Sequence, residues 1–139
     1  MLYIGLDAGS VSVKVVVLDK EGNKREGYYK RHKGHPLKVA LDLLEKAAGT
    51  EDPASGDDFS LSVTGSSGRL VADALDSGFT NELVAQTYAT RKLFPHIRTI
   101  IELGGEDSKL IILGKNGIKD FSMNSVCAAG TGSFLDQQA

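Results

Sequence analysis

Apolar positions along this chain change period several times, and each change predicts an element. Leu2-Tyr3-Ile4-Gly5-Leu6 and Val13-Lys14-Val15-Val16-Val17-Leu18 are apolar runs with β-branched arms, hinged by Asp7-Ala8-Gly9-Ser10-Val11-Ser12, which predicts a β-hairpin. Asp19 to Asn23 makes a second turn, and the polar run Lys24 to Lys33 predicts a third, edge-like strand. From Pro36 the period becomes helical: Leu37, Val39, Ala40, Leu43, Leu44, Ala47 and Ala48 fall on one face, and Gly49 ends the element. The acidic, breaker-rich stretch 50–58 predicts a surface loop. Phe59 to Thr64 alternates as a strand does and runs into Gly65-Ser66-Ser67-Gly68, after which Leu70, Val71, Ala74 and Leu75 predict a helix closed by Gly78. Asn81 is placed to cap a helix bearing Leu83, Val84, Thr87, Tyr88, Arg91 and Phe94, stopped by Pro95. Arg98 to Leu103 is again a strand, and after Gly104-Gly105-Glu106-Asp107-Ser108-Lys109 the run Leu110-Ile111-Ile112-Leu113 returns.

That last pattern repeats the first. A single offset of 95 residues carries Asp7 onto Glu102, Gly9 onto Gly104, Lys14 onto Lys109, Leu18 onto Leu113 and Gly22 onto Gly117. An acid, a glycine, a lysine, a β-rich arm and a turn glycine recurring in one order and spacing predict an internal duplication. The division falls at 1–95, the first subdomain, and 96–139, the beginning of its duplicate. Each hairpin turn carries the chemistry of a phosphate site. Small residues let main-chain amides approach an anion, a carboxylate can hold a hydrated Mg²⁺, and a lysine can neutralise terminal phosphate oxygens. Asp7, Gly9, Ser10, Ser12 and Lys14 are the candidates in the first turn, and Glu102, Gly104 and Gly105 in the second. Two such hairpins across a cleft would grip a nucleotide's phosphates, with Mg²⁺ held through water by Asp7 and Glu102.

The only cysteine, Cys127, precedes Ala128-Ala129-Gly130-Thr131-Gly132 and the apolar pair Phe134-Leu135. This reads as a strand end, a tight turn and the opening of a helix, a setting that lowers a thiol's pKa and suits an anionic ligand or a thiolate-bound metal cluster. A buried free cysteine beside a small-residue turn is the plain alternative.

Composition narrows the class. A formal net charge of −2 lacks the basic footprint of a nucleic-acid binder, and His32, His35 and His96 are too scattered for a metal site. His32 and His35 read instead as part of the solvated end of the third strand. The N-terminus has no basic leader and meets Asp7 early, no stretch is long and apolar enough for a membrane span, and a lone cysteine suits a reducing cytoplasm.

The paired hairpins resemble those of the actin, sugar kinase and heat-shock chaperone ATPase superfamily. That resemblance implies an α/β fold of ribonuclease H-like halves, a mixed sheet with flanking helices, the second half truncated here. Within it, Ile4-Gly5-Leu6-Asp7-Ala8-Gly9-Ser10, Thr64-Gly65-Ser66-Ser67-Gly68-Arg69, Asn81-Glu82, the run Glu102 to Lys109 and Cys127-Ala128-Ala129-Gly130-Thr131-Gly132 together resemble the activator ATPases of 2-hydroxyacyl-CoA dehydratases, to which subunits of benzoyl-CoA reductases are related. The resemblance implies ATP and Mg²⁺ as ligands and Asp7 and Glu102 as the catalytic carboxylates. It also implies a homodimer sharing one 4Fe-4S cluster, with Cys127 as a ligand, and a dehydratase or reductase component as electron acceptor. Glu102 stands where the family has aspartate, one methylene longer. The chain stops at Ala139 inside a freshly begun helix, so a fragment of a longer protein, inactive by itself, is expected. A sugar or acetate kinase-like phosphotransferase shares the double hairpin but gives no reason for the thiol, and an actin-like filament protein would use nucleotide to set assembly.

Overall fold

The structure is a computed structural model that describes residues 1–49 and 58–124. Most of the loop expected over 50–58, and the Cys127 turn with the helix after it, lie outside the described residues. The elements run β1 (Leu2–Ala8), β2 (Ser12–Leu18), β3 (Lys24–Arg31), α1 (Pro36–Gly49), β4 (Phe59–Thr64), α2 (Gly68–Ala74), β5 (Gly78–Phe79), α3 (Glu82–Leu93), β6 (Thr99–Leu103), β7 (Ser108–Gly114) and β8 (Gly117–Asn124). They form two compact units, the first Met1–Thr80 and the second beginning at Asn81. Among the described residues no helix is long and apolar enough to cross a membrane.

In the first unit the sheet order is β3-β2-β1-β4-β5. β1 pairs antiparallel with β2 and parallel with β4, so the sheet is mixed, and β3 is an edge as its polar sequence predicts. Pairing puts Leu6 opposite Val15 and Ala8 opposite Val13, on one face, and that face is buried against Val39, Ala40, Leu43 and Ala47 of α1 and Val71 and Ala72 of α2. Each buried Val or Leu contributes about 1.5–3 kcal/mol, which makes this face the main stabilising layer of the unit. α1 starts with Pro36 in the first turn, where a missing N–H costs nothing, and the Val39 amide donates to His35 O at 3.2 Å.

α2 ends earlier than the sequence predicts. Ala74 is its last residue and Asp76 takes the left-handed conformation (φ 47°). The Ser77 amide then reaches back to Ala72 O at 3.0 Å, the bond that closes a helix over a left-handed residue. Gly78, read from the sequence as the stop, instead opens β5 and pairs with Ser62.

The second unit contains α3 and the antiparallel sheet β6-β7-β8. Asn81 caps α3 as expected: its side-chain oxygen accepts from the Leu83 amide at 2.9 Å. Near the other end the Arg91 guanidinium donates to the carbonyls of Gly114 and Gly117, tying α3 to the β7–β8 turn.

The duplication is visible in register as well as in sequence. Asp7 pairs with Lys14 and Glu102 with Lys109, and the remaining β6–β7 pairs keep the same 95-residue relation to those of β1–β2. The pairing with the third strand shifts register at matching positions of the second strand, between Val17 and Leu18 of β2 and between Ile112 and Leu113 of β7. The third strand departs from the 95-residue relation by one residue along its whole length: Val17 pairs with Glu26 but Ile112 with Asp120. Leu18 pairs with Lys24 but Leu113 with Ile118, one residue sooner, so the second connection is shorter by one. Gly22 and Gly117, aligned by the gapless offset, therefore hold different places: Gly22 lies in a loop, whereas Gly117 pairs with Gly114.

Candidate functional site

The β1–β2 turn begins where β1 delivers Asp7 to the end of the sheet. Across the strand pair Lys14 Nζ lies 2.8 Å from Asp7 Oδ2, and the lysine side chain keeps 46% of its surface exposed. The other carboxylate oxygen, Asp7 Oδ1, is buried with no hydrogen-bond partner among the described residues. Thr64 sits beside Asp7 in the parallel β1–β4 register, and its hydroxyl is buried and unpartnered too. Two polar oxygens left unsatisfied at one sheet end is a costly arrangement for a purely structural turn.

The turn itself is drawn tight by the Gly9 amide, which donates to Ser12 O at 3.0 Å. Ser10 lies half-buried at the bend. Ser12 is buried, and its side chain hydrogen-bonds Tyr29, whose phenol is held below its usual pKa by that bond and by neighbouring Arg31 and Lys14. Behind the carboxylate runs the β4–α2 turn. The Ser67 amide donates to Ala8 O at 2.8 Å, and Gly65 (φ 102°) passes so close that a Cβ there would lie 2.4 Å from Ala8 O and 2.5 Å from Asp7 Oδ1. Only glycine satisfies both the conformation and the approach.

The β6–β7 turn of the second unit repeats the construction and changes the electrostatics. The Gly104 amide donates to Asp107 O at 2.8 Å, the counterpart of the Gly9 to Ser12 bond. A Cβ at Gly104 would meet Asp107 Oδ1 at 2.5 Å. Gly105 follows it in the turn, half-buried. Lys109 Nζ reaches Glu102 Oε2 at 2.9 Å, as Lys14 reaches Asp7, but also Asp107 Oδ2 at 2.9 Å and Glu82 Oε2 at 3.2 Å, and its side chain is only 6% exposed. Burial alone would depress the lysine pKa, but the hydrogen bonds to Asp107 and Glu102 and the charge of Glu82 outweigh it and hold the ammonium well above its ordinary value.

The sequence sets Glu102 and Lys109 in one hairpin and gives the lysine to phosphate oxygens; the structure instead pairs it with Glu102 and two further acids. Asp107 was within reach, because the 95-residue offset sets it against Ser12 and so adds a carboxylate that the first turn lacks. Glu82 enters from the first turn of α3, and the Asn81-Glu82 motif marks it without telling what it meets. His32, read from the sequence as part of a solvated strand end, is the residue that reading gets wrong. It is buried, and its Nε2 lies 3.2 Å from Gly9 O. Cys127 is outside the described residues.

A hydrated Mg²⁺ takes one or two carboxylates and keeps most of its waters. The free Asp7 Oδ1 and the adjacent Thr64 hydroxyl fit that demand, the first as a direct or water-bridged ligand and the second as a partner for a bound water. No group of three or more His, Cys, Asp or Glu able to hold a metal ion without further ligands occurs among the described residues.

The model of the BadF/BadG/BcrA/BcrD ATPase family matches residues 4–139. The chain belongs to this family. It is 36% identical to a 2-hydroxyisocaproyl-CoA dehydratase activator of Clostridioides difficile, over all of this chain and 52% of that protein. It is 32% identical to an activator of lactoyl-CoA dehydratase from Anaerotignum propionicum, over all of this chain and 53% of the relative. Among solved structures, the activator of the 2-hydroxyisocaproyl-CoA dehydratase from Clostridium difficile with bound ADPNP superposes with a TM-score of 0.78 at 31% identity, covering 99% of this chain and 50% of that one. Component A of the Acidaminococcus fermentans (R)-2-hydroxyglutaryl-CoA dehydratase gives 0.75 at 24% identity, covering 98% and 52%. The fold is that of the actin-like ATPases, and the chain spans about half the length of the relatives it matches.

Proposed function

We propose that this family member is the part of an ATP-hydrolysing activator that carries both phosphate hairpins, and that the activator passes electrons to a 2-hydroxyacyl-CoA dehydratase or a related reductase. The observation that carries the nucleotide reading is the repeated hairpin, with its carboxylate–lysine pair, its turn bond and its bulge recurring at one offset. Asp7 and Glu102 are the carboxylates that act on hydrated Mg²⁺ and the attacking water. Gly9, Ser10 and Lys14 contact phosphate in the first turn, Ser12 supports them through the carbonyl that holds Gly9, and Gly104 and Gly105 contact phosphate in the second turn. Lys14 can leave Asp7 for a phosphate at little cost, since exposed ion pairs contribute about 0–1 kcal/mol. Lys109, buried among three carboxylates, stays where it is and serves the second hairpin's structure.

For the electron-transfer part, Cys127 is assigned as one thiolate ligand of a 4Fe-4S cluster in a reducing cytoplasm. When bound, such a cluster supplies the electron to be passed on. One thiolate per chain falls short of the four such a cluster normally takes, so the assignment requires a second cysteine from protein outside these residues and a two-fold partner that contributes the same pair. The complete protein with Cys127→Ser, prepared without oxygen, is expected to lose its iron and its power to activate a partner while still binding ATP. Iron retained at the wild-type level in that variant would contradict the assignment. The 139-residue chain by itself is expected to be iron-free, and stoichiometric iron in it would overturn the shared-ligand model.

A further inference from the structure

His32 follows directly on β3 and is 7% exposed. Its main chain extends the β2–β3 ladder into the first hairpin's tip, the His32 amide donating to Val11 O at 3.1 Å. Lys33 and Gly34 are both left-handed (φ 48° and 86°), and this tight reversal brings the Gly34 amide to His32 Nδ1 at 3.1 Å. An amide can only donate, so Nδ1 is the bare nitrogen and the ring proton sits on Nε2. Nε2 therefore donates to Gly9 O at 3.2 Å. Gly9 is fixed on both sides, its N–H by Ser12 O and its carbonyl by the buried imidazole.

In a planar trans peptide the carbonyl and the following N–H point in opposite directions. Holding Gly9 O toward the buried histidine aims the Ser10 N–H the other way, away from the imidazole. We propose that His32 is a positioning residue: it orients the Gly9–Ser10 peptide so that the Ser10 amide donates to a phosphate oxygen of the bound nucleotide. This rests on the reading of the β1–β2 turn as a phosphate site. It explains why a histidine beside a polar edge strand is buried with both ring nitrogens engaged.

The two ring nitrogens can be tested separately. Glutamine places an amide donor near the Nε2 position and can keep the bond to Gly9 O. Asparagine keeps an acceptor near Nδ1 for the Gly34 amide but has no donor that reaches Gly9. In calorimetric titration of the complete protein with Mg-ATP, His32→Gln is expected to bind within about two-fold of wild type and His32→Asn about ten-fold more weakly, the equivalent of one net hydrogen bond. Each variant gives up one of the two ring bonds, so a merely structural histidine would lower melting temperature and affinity alike in both. Equal affinity losses, or none in either, would overturn the proposal while leaving the phosphate reading intact. If His32→Asn fails to fold, the wild-type Ser10 amide resonance decides: it is expected to move downfield on adding Mg-ATP, and no movement sinks the proposal. A wild-type protein that does not bind Mg-ATP would remove the phosphate reading itself, and the role of His32 with it.

Discussion

Lys14 and Lys109 occupy one position in two copies of a hairpin and meet opposite surroundings. Lys14 is half solvated against a single carboxylate, whereas Lys109 is enclosed by Glu82, Glu102 and Asp107. Removing Lys109 leaves three carboxylates without their common cation, so Lys109→Met is expected to cost about 3 kcal/mol or more in urea unfolding. Lys14→Met is expected to cost less than about 1 kcal/mol while weakening Mg-ATP binding. Equal losses of stability in the two variants would contradict the difference in environment. The pH dependence has a definite sign. A lysine whose folded pKa is raised contributes stability that is fully present below its unfolded value of 10.5 and is lost as pH rises toward the folded one. Stability lost above pH 10.5 in the wild type is therefore expected to shrink in Lys109→Met, as measured by denaturant midpoints across the alkaline range. His32 marks the limit of reading residues from sequence. Its ring bond spans 23 positions to Gly9 and depends on a left-handed Lys33-Gly34 pair that a polar strand end does not announce.

Among elements, the ones written in local chemistry were legible: the period of α1, Pro36 in its first turn, the Asn81 cap of α3 and the alternation of β4 all match the structure. Those decided by a single backbone conformation were not. Asp76 rather than Gly78 takes the left-handed position after α2, because an aspartate tolerates it and the helix runs out of buried positions at Ala72. The bulges and the one-residue shorter second connection leave no mark in a gapless alignment, which is why Gly22 and Gly117 read as equivalent. The β4–α2 turn offers a test at this scale. Gly65 and Gly22 both have positive φ, but a Cβ at Gly22 meets nothing within 4 Å, whereas at Gly65 it meets the backbone of Ala8. Gly22→Ala is expected to cost about 1 kcal/mol from conformation alone. Gly65→Ala is expected to cost clearly more in denaturant unfolding, and to weaken nucleotide binding by displacing Asp7. Equal costs would mean that the Gly65 approach does not constrain the turn.

At the scale of the molecule, the repeat has one well-filled copy and one open copy among the described residues. Leu6, Ala8 and Val15 of the first sheet are 1%, 0% and 2% exposed, while their counterparts Ile101, Leu103 and Leu110 are 72%, 55% and 38% exposed. The first face is covered by α1 and α2; in the second unit the same apolar pattern lies open among the described residues. Hydrogen exchange on the 139-residue chain is therefore expected to show the amides of β1, β2 and β4 opening only with global unfolding and those of β6 and β8 exchanging at lower free energy. Uniform protection across both sheets would contradict this division. The most direct test of the nucleotide reading is Mg-ATP hydrolysis by the complete protein carrying Asp7→Asn. This change keeps the side chain's shape and removes only the charge that would hold the metal. The expected result is a loss of turnover of about a hundred-fold or more with an unchanged circular dichroism spectrum; wild-type turnover in that variant would contradict the assignment of Asp7 and, with it, of the first hairpin as the Mg-phosphate site.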